Sequence, residues 1–286
     1  AILLIFIFPS SMIWTSVIGK EAIYYLFFSL LIIIWSKYIG GKIKTRDYLI
    51  AIVAISFCLI FRYHYTVAIL WLFWVAININ KFKCYKIILG CTYFLILVLL
   101  FIVLFKGMQL NEFLGTNLPD VKLRAYNSIV MEGKASRHDS LGFIDIRNQC
   151  IKDKLCDWDD MSRFLLDKKI NSHFFTGLIF GIIGPFLSEI IDRPEFIPFF
   201  IEGVVIILIP FIFFIYFNYS LKHKRNNIYY LNYIYGVLPA ILLVMIIHAF
   251  FGMMNPGSAI RWRVNFELIF YLAPFLIYSN LIEKNK

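Results

Sequence analysis

Apolar runs as long as a bilayer is thick constrain this chain more than any other feature. Residues 87–105, 196–217, 228–250 and 264–282 are each close to the roughly 20 residues that a helix needs to cross about 30 Å of hydrocarbon. Backbone N–H and C=O groups placed in lipid must be satisfied within the segment, so such runs read as helices. Composition agrees: 60% of residues are hydrophobic, 16% are charged and the mean hydropathy is +0.76. Soluble domains hold about 45–50% apolar and about 25% charged residues. The expected fold is an all-α, polytopic transmembrane helix bundle of about six to eight membrane helices, some short or re-entrant.

Further apolar segments occupy 1–8, 22–36, 48–61, 66–79 and 174–191. Residues 1–8 open inside an apolar run without a Met, and read as the tail of a span that starts upstream. A cleaved signal peptide fits less well, because no basic n-region or small-residue cleavage site is present. Segments 48–61 and 66–79 are about 14 residues each and are separated only by Arg62-Tyr63-His64-Tyr65-Thr66. They predict a tight helical hairpin with Arg62 and His64 on its turn. Segment 174–191 holds Gly177, Gly181, Gly184 and Pro185 and runs into Glu189, Asp192, Arg193 and Glu195, a pattern for an interfacial or re-entrant helix.

Charge sets the orientation. The short linkers and the tail carry Lys37, Lys42, Lys44, Arg46, Lys81, Lys83, Lys86, Lys222, Lys224, Arg225, Lys284 and Lys286, against only Asp47 and Glu283. By the positive-inside rule these linkers are cytoplasmic, and the spans then alternate in register with them. The stretch 107–173 contains 10 Lys/Arg and 10 Asp/Glu and falls outside, in the periplasm or at the cell surface. Three parts follow: membrane helices over 1–106, an exterior loop over 107–173, and membrane helices over 174–286. The whole excess charge of +10 therefore lies in the membrane parts, as a topological signal rather than a nucleic-acid-binding patch. Inside the loop, Asp157-Trp158-Asp159-Asp160 leading to Lys168-Lys169 has the acidic start and basic end of a short helix. Phe at 30 residues, with abundant Ile, Asn and Lys, suits an AT-rich bacterial genome.

Cys58 and Cys91 lie in apolar spans and Cys84 beside a cytoplasmic linker, so these read as inert thiols. Cys150 and Cys156 share the exterior loop, where they form either a disulfide or two buried free thiols. No His stands at ligand spacing from them, and no metal is expected. Walker A, G-x-S-x-G, HExxH and dinucleotide-binding patterns are all missing, which disfavours soluble-cofactor chemistry; no cofactor is expected.

The remaining ionisable groups gather at the exterior ends of the spans: Lys20, Glu21, Arg62, His64, Lys106, Glu189, Asp192, Arg193, Glu195, Glu202, His248, Arg261, Arg263 and Glu267. An ionisable group in hydrocarbon costs about 2.5–3.5 kcal/mol on insertion scales, so each asks for either a function or a structural partner. Snorkelling and neighbour pairing account for Lys20, Lys106, Asp192 and Arg193. Arg62 and His64 on the hairpin turn stand out, because a turn serving solubility alone uses Gly, Asn or Ser. Glu202 sits inside an apolar run and requires a partner, with Arg62, Arg261 or His248 as candidates. Arg261-Trp262-Arg263 opens the last span, with Arg263 and Glu267 at i,i+4 spacing. Guanidinium groups suit phosphate and pyrophosphate, which they bind bidentately.

Three stretches, Phe8 to Glu21, Gly184-Pro185-Phe186 through Pro194 to Glu202, and Asn255 to Arg263, together resemble the multi-span membrane proteins of bacterial surface-polysaccharide clusters. These are the O-antigen and exopolysaccharide polymerase-like, or Wzy-type, group. The resemblance covers most of the chain and rests on topology as much as on residues. It implies a bacterial inner-membrane protein joining oligosaccharide units carried on undecaprenyl pyrophosphate at the outer face, with other polysaccharide-assembly proteins as partners. It further implies that Arg62, Arg261 and Arg263 hold the departing pyrophosphate, that Glu202 or His64 orients or deprotonates the acceptor hydroxyl, and that Lys20 and Glu21 form an ion pair shaping the site. Two alternatives stay open. A GT-C-like lipid-phosphate-sugar glycosyltransferase resembles its relatives in an acidic pair on the first exterior loop, whereas Asp159-Asp160 comes late here. A lipid-linked oligosaccharide flippase or transporter would move the glycan without lengthening it.

Overall fold

The computed structural model describes residues 20–113, 178–179, 181–185, 190–191, 194–220, 227–252 and 256–285. These form α1 (Lys20–Ile39), α2 (Thr45–Lys81), α3 (Tyr85–Phe113), α4 (Ile197–Ser220), α5 (Ile228–Leu231), a π-helical stretch (Asn232–Val237), α6 (Leu238–Gly252), α7 (Pro256–Arg263) and α8 (Glu267–Asn285). No strand occurs among the described residues. Among the described residues, five helical runs are long and apolar enough to cross a membrane: 21–39, 45–81, 194–219, 228–248 and 260–284. The chain is a multi-pass membrane protein with an all-α bundle.

The run α2 is broken at Arg62, whose φ of −151° and ψ of 60° lie outside the helical region. Its contacts show that the chain turns back there. Lys37, near the end of α1, pairs with Asp47 at 2.9 Å, and Glu21, at its start, pairs with Arg62 at 2.9 Å. The Trp35 indole nevertheless donates to the carbonyl of Leu72 at 3.0 Å. A straight helix would carry Leu72 some 15 Å beyond Arg62 and away from Trp35, at about 1.5 Å per residue. Buried Tyr24 likewise lies against both Cys58 and Thr66, one on each side of the break. The expected hairpin is therefore present, with limbs 45–61 and 63–81 longer than the apolar segments alone. Each reaches roughly 25–29 Å, close to the hydrocarbon thickness.

Two ends of the bundle follow. At the basic end, Gly41 takes a left-handed φ of 67° between α1 and α2, and Asp47 accepts the backbone N–H of Lys44 at 2.9 Å. Lys42 pairs with Glu283, Asn280 donates to the Ser36 carbonyl at 3.1 Å, and Lys284 stands over the Tyr229 ring. Linkers 40–44 and 82–84, the start of α5 and the end of α8 thus share this end. Glu21, Arg62 and α7 occupy the other.

Core and lipid faces separate by helix. Every residue from Arg263 to Pro274 is buried, so the first half of α8 is enclosed all round, as expected of a central helix. Along α4, Ile201, Val205, Leu208, Ile212, Ile215 and Tyr219 are exposed at three- and four-residue spacing, a lipid-facing stripe. Glu202, Ile206 and Phe217 lie on the opposite, buried side.

Three local features refine or correct these expectations. Helix α3 continues to Phe113, so the first residues of the stretch 107–173 are helical; Gly107 costs a helix only about 1 kcal/mol and no proline intervenes. Arg261 and Arg263 lie on α7 at the head of the run 260–284, and a turn at 264–266, where Asn265 bonds back to the Trp262 carbonyl, separates α7 from α8 within that run. Arg263 and Glu267 are therefore not an i,i+4 pair on one helix. Of the segment 174–191, helical residues 181–183 end at Gly184, whose φ of 93° suits glycine.

Candidate functional site

Three consecutive residues of α7 organise the end of the bundle opposite the basic loops. Arg261 donates from Nε and Nη2 to Glu21 Oε1 on α1, at 3.0 and 2.8 Å. Arg62, at the hairpin apex, donates from Nη2 to the same oxygen at 2.9 Å. The Trp262 ring lies under the Arg62 guanidinium at 5.3 Å, within cation–π range. Arg263 turns the other way. It is fully buried, pairs with Glu202 Oε2 at 3.2 Å, and donates to the carbonyls of Ile182, Ile183 and Phe199 at 3.1, 3.0 and 2.9 Å.

The local sequence dictates this placement. The break at Arg62 frees its carbonyl, which the Thr66 hydroxyl satisfies at 2.9 Å, and the hairpin apex brings the Arg62 side chain onto the first turn of α1. On α7, Arg261 and Arg263 are two residues apart and so point to different faces of the helix. One reaches α1, the other reaches α4 and the 181–185 segment. Close approach there depends on Gly203: a Cβ at that position would lie 2.0 Å from the Ile183 carbonyl oxygen. At Gly184, a Cβ would stand 2.9 Å from Arg263 Nη1.

Two clusters with different properties result. Glu21, Arg62 and Arg261 carry two positive charges against one negative, and the Arg261 side chain is 41% exposed. Such a group can take an anion. Arg263 and Glu202, with side chains 0% and 2% exposed, form a neutral pair closed to solvent. Their geometry is that of a clamp fastening α7 to α4 and residues 181–185.

His64 lies beside the first cluster, its ring 4.4 Å from Tyr65 and 6.5 Å from Trp262. Tyr65 in turn bonds His248 Nδ1 at 2.9 Å, and His248 packs on Phe266 with ring centroids 4.6 Å apart. The partner that Glu202 requires is Arg263, not Arg62, Arg261 or His248. The carboxylate of Glu21 meets two arginines from distant elements; Lys20 opens α1, and its side chain lies outside those described. Cys150 and Cys156 also lie outside the described residues. Cys58 is a buried free thiol, and Cys84 and Cys91 are exposed free thiols. Among the described residues no group of His, Cys, Asp and Glu is placed to hold a metal ion.

Sequence reasoning gave no role to Trp262, Tyr65 or Gly203, and read Gly184 only as an interruption of an apolar segment. Of the first three, Trp262 carried a signal, as an aromatic residue between two arginines. Comparison with family models, curated proteins and solved structures finds no match to the chain.

Proposed function

We propose that this protein works in bacterial surface-polysaccharide assembly, joining or transferring oligosaccharide units carried on undecaprenyl pyrophosphate at the outer face of the cytoplasmic membrane. The observation that carries this reading is the net-cationic cluster of Glu21, Arg62 and Arg261 at the bundle end opposite the basic loops. By the positive-inside rule the basic end is cytoplasmic, so the cluster faces outward, where lipid-linked glycans are assembled. Its two arginines come from α2 and α7, are held together by Glu21 of α1, and are preorganised for a phosphate group.

In the reaction, the acceptor hydroxyl oxygen attacks the anomeric carbon of the donor sugar, and the bond from that carbon to the pyrophosphate oxygen breaks. The pyrophosphate departs on its lipid with the bonding electrons. Arg261 and Arg62 stabilise the charge that develops there, and His64 accepts the hydroxyl proton. Arg263 and Glu202 act by holding α7 in place rather than by touching substrate, which narrows the seven-residue set suggested by the resemblance. Polymer length in cells tests the reading: Arg62→Ala and Arg261→Ala at normal expression are expected to leave short, unpolymerised glycan. Full-length polymer from both variants removes the assignment.

A further inference from the structure

Glu21 stands where an anionic ligand would place an oxygen. Three N–H donors from two helices converge on its Oε1: Arg62 Nη2 at 2.9 Å, and Arg261 Nε and Nη2 at 3.0 and 2.8 Å. The Nε/Nη2 edge of Arg261 is one that arginines use to grip phosphate oxygens. Arg62 is fixed in place, 8% exposed, with Trp262 under its guanidinium. Arg261 is the side of the cluster that reaches solvent.

A carboxylate tethered at this spot competes with every free anion. Its effective concentration is of the order of millimolar or above, because it belongs to the same chain. Free carboxylates and chloride offer no more charge than Glu21 itself and cannot displace it. A pyrophosphate group, with more than one negative charge and several oxygens, can bridge both arginines once the carboxylate has turned aside.

We propose that Glu21 is a specificity-determining residue, an internal competitor that keeps the Arg62–Arg261 site self-occupied and admits only polyanionic phosphate by exchange. This rests on the anion-site reading given above. It also explains why a site meant for an anion carries a carboxylate at its centre: carboxylate-bearing sugars of an acidic glycan are excluded from the pyrophosphate position.

The test uses the purified full chain in nanodiscs, with inorganic pyrophosphate and acetate as probes and binding followed by calorimetry. Wild type is expected to bind pyrophosphate and ignore acetate. Glu21→Gln is expected to bind pyrophosphate about tenfold tighter or more, since removing an adjacent like charge is worth at least that factor, and to acquire acetate binding. Glu21→Asp, one methylene shorter and still charged, is expected to fall between them, and serves if the Gln variant does not fold. Pyrophosphate binding by a folded Gln variant no tighter than wild type overturns the proposal, as does an Asp variant indistinguishable from wild type. If Arg261→Ala abolishes pyrophosphate binding in such a case, the competitor role alone fails. If neither wild type nor any variant binds pyrophosphate, the anion site and the proposed function fail together.

Discussion

Arg263 and Glu202 meet at 3.2 Å with neither side chain open to solvent, joining the short helix α7 to the inward face of α4. The ion pair sits among the carbonyls of Ile182, Ile183 and Phe199, all of which accept from the same guanidinium. Low local polarity strengthens each of these bonds and raises the cost of leaving any partner alone.

Removing one partner of this pair should therefore cost far more than removing both. Arg263→Met is expected to lower stability by about 3–5 kcal/mol, the usual loss when a buried charge is left uncompensated. The double variant Arg263→Met with Glu202→Leu should regain much of that loss. It should not regain all of it, because three carbonyls still lack their donor. Thermal denaturation of the purified variants reads the difference, and an additive double variant would contradict the clamp.

Two glycine substitutions should have opposite signs. Gly203→Ala places a methyl group 2.0 Å from the Ile183 carbonyl oxygen, a backbone atom, and is expected to destabilise by about 1–3 kcal/mol. Gly90→Ala meets nothing within 4 Å on α3 and should stabilise by up to about 1 kcal/mol through helix propensity. Equal effects in the same assay would show that residues 181–185 do not press on α4 as described.

The hairpin and its orientation can be read by thiol labelling. Tyr63, at the apex, is 69% exposed, and Cys84 is exposed near the basic end. With each position in turn carrying the sole cysteine, an impermeant maleimide should label Tyr63→Cys in intact cells and Cys84 only after permeabilisation. Labelling of both from the same side would contradict the fold-back at Arg62 or the assigned orientation.

Much of this architecture is written locally in the chain. Apolar runs of bilayer length mark the spans, and the polar interruption Arg62 to Thr66 marks the hairpin, because two apolar segments that close together leave no room for another connection. The gathering of ionisable groups at one end of the bundle is legible for the same reason: hydrocarbon penalises their placement along the spans. What stays hidden depends on distant partners. Glu202 announces that it needs a counter-charge, but the choice of Arg263 over Arg261 depends on which face of α7 meets α4. The turn at 264–266 contains neither glycine nor proline; only Asn265, a residue that favours helix ends, hints at it. Glu21 reads locally as a neighbour of Lys20, and its convergence with Arg62 and Arg261 exists only once the hairpin apex and α7 reach the start of α1.

The most direct measurement of the central claim is chain growth by the purified protein. Reconstituted in lipid with an undecaprenyl-pyrophosphate-linked oligosaccharide, wild type is expected to yield longer lipid-linked glycan and release undecaprenyl pyrophosphate, and Arg261→Ala is expected to yield neither. Transfer that proceeds equally well without Arg261, or movement of the lipid-linked glycan across the bilayer with no change in its length, would contradict the account.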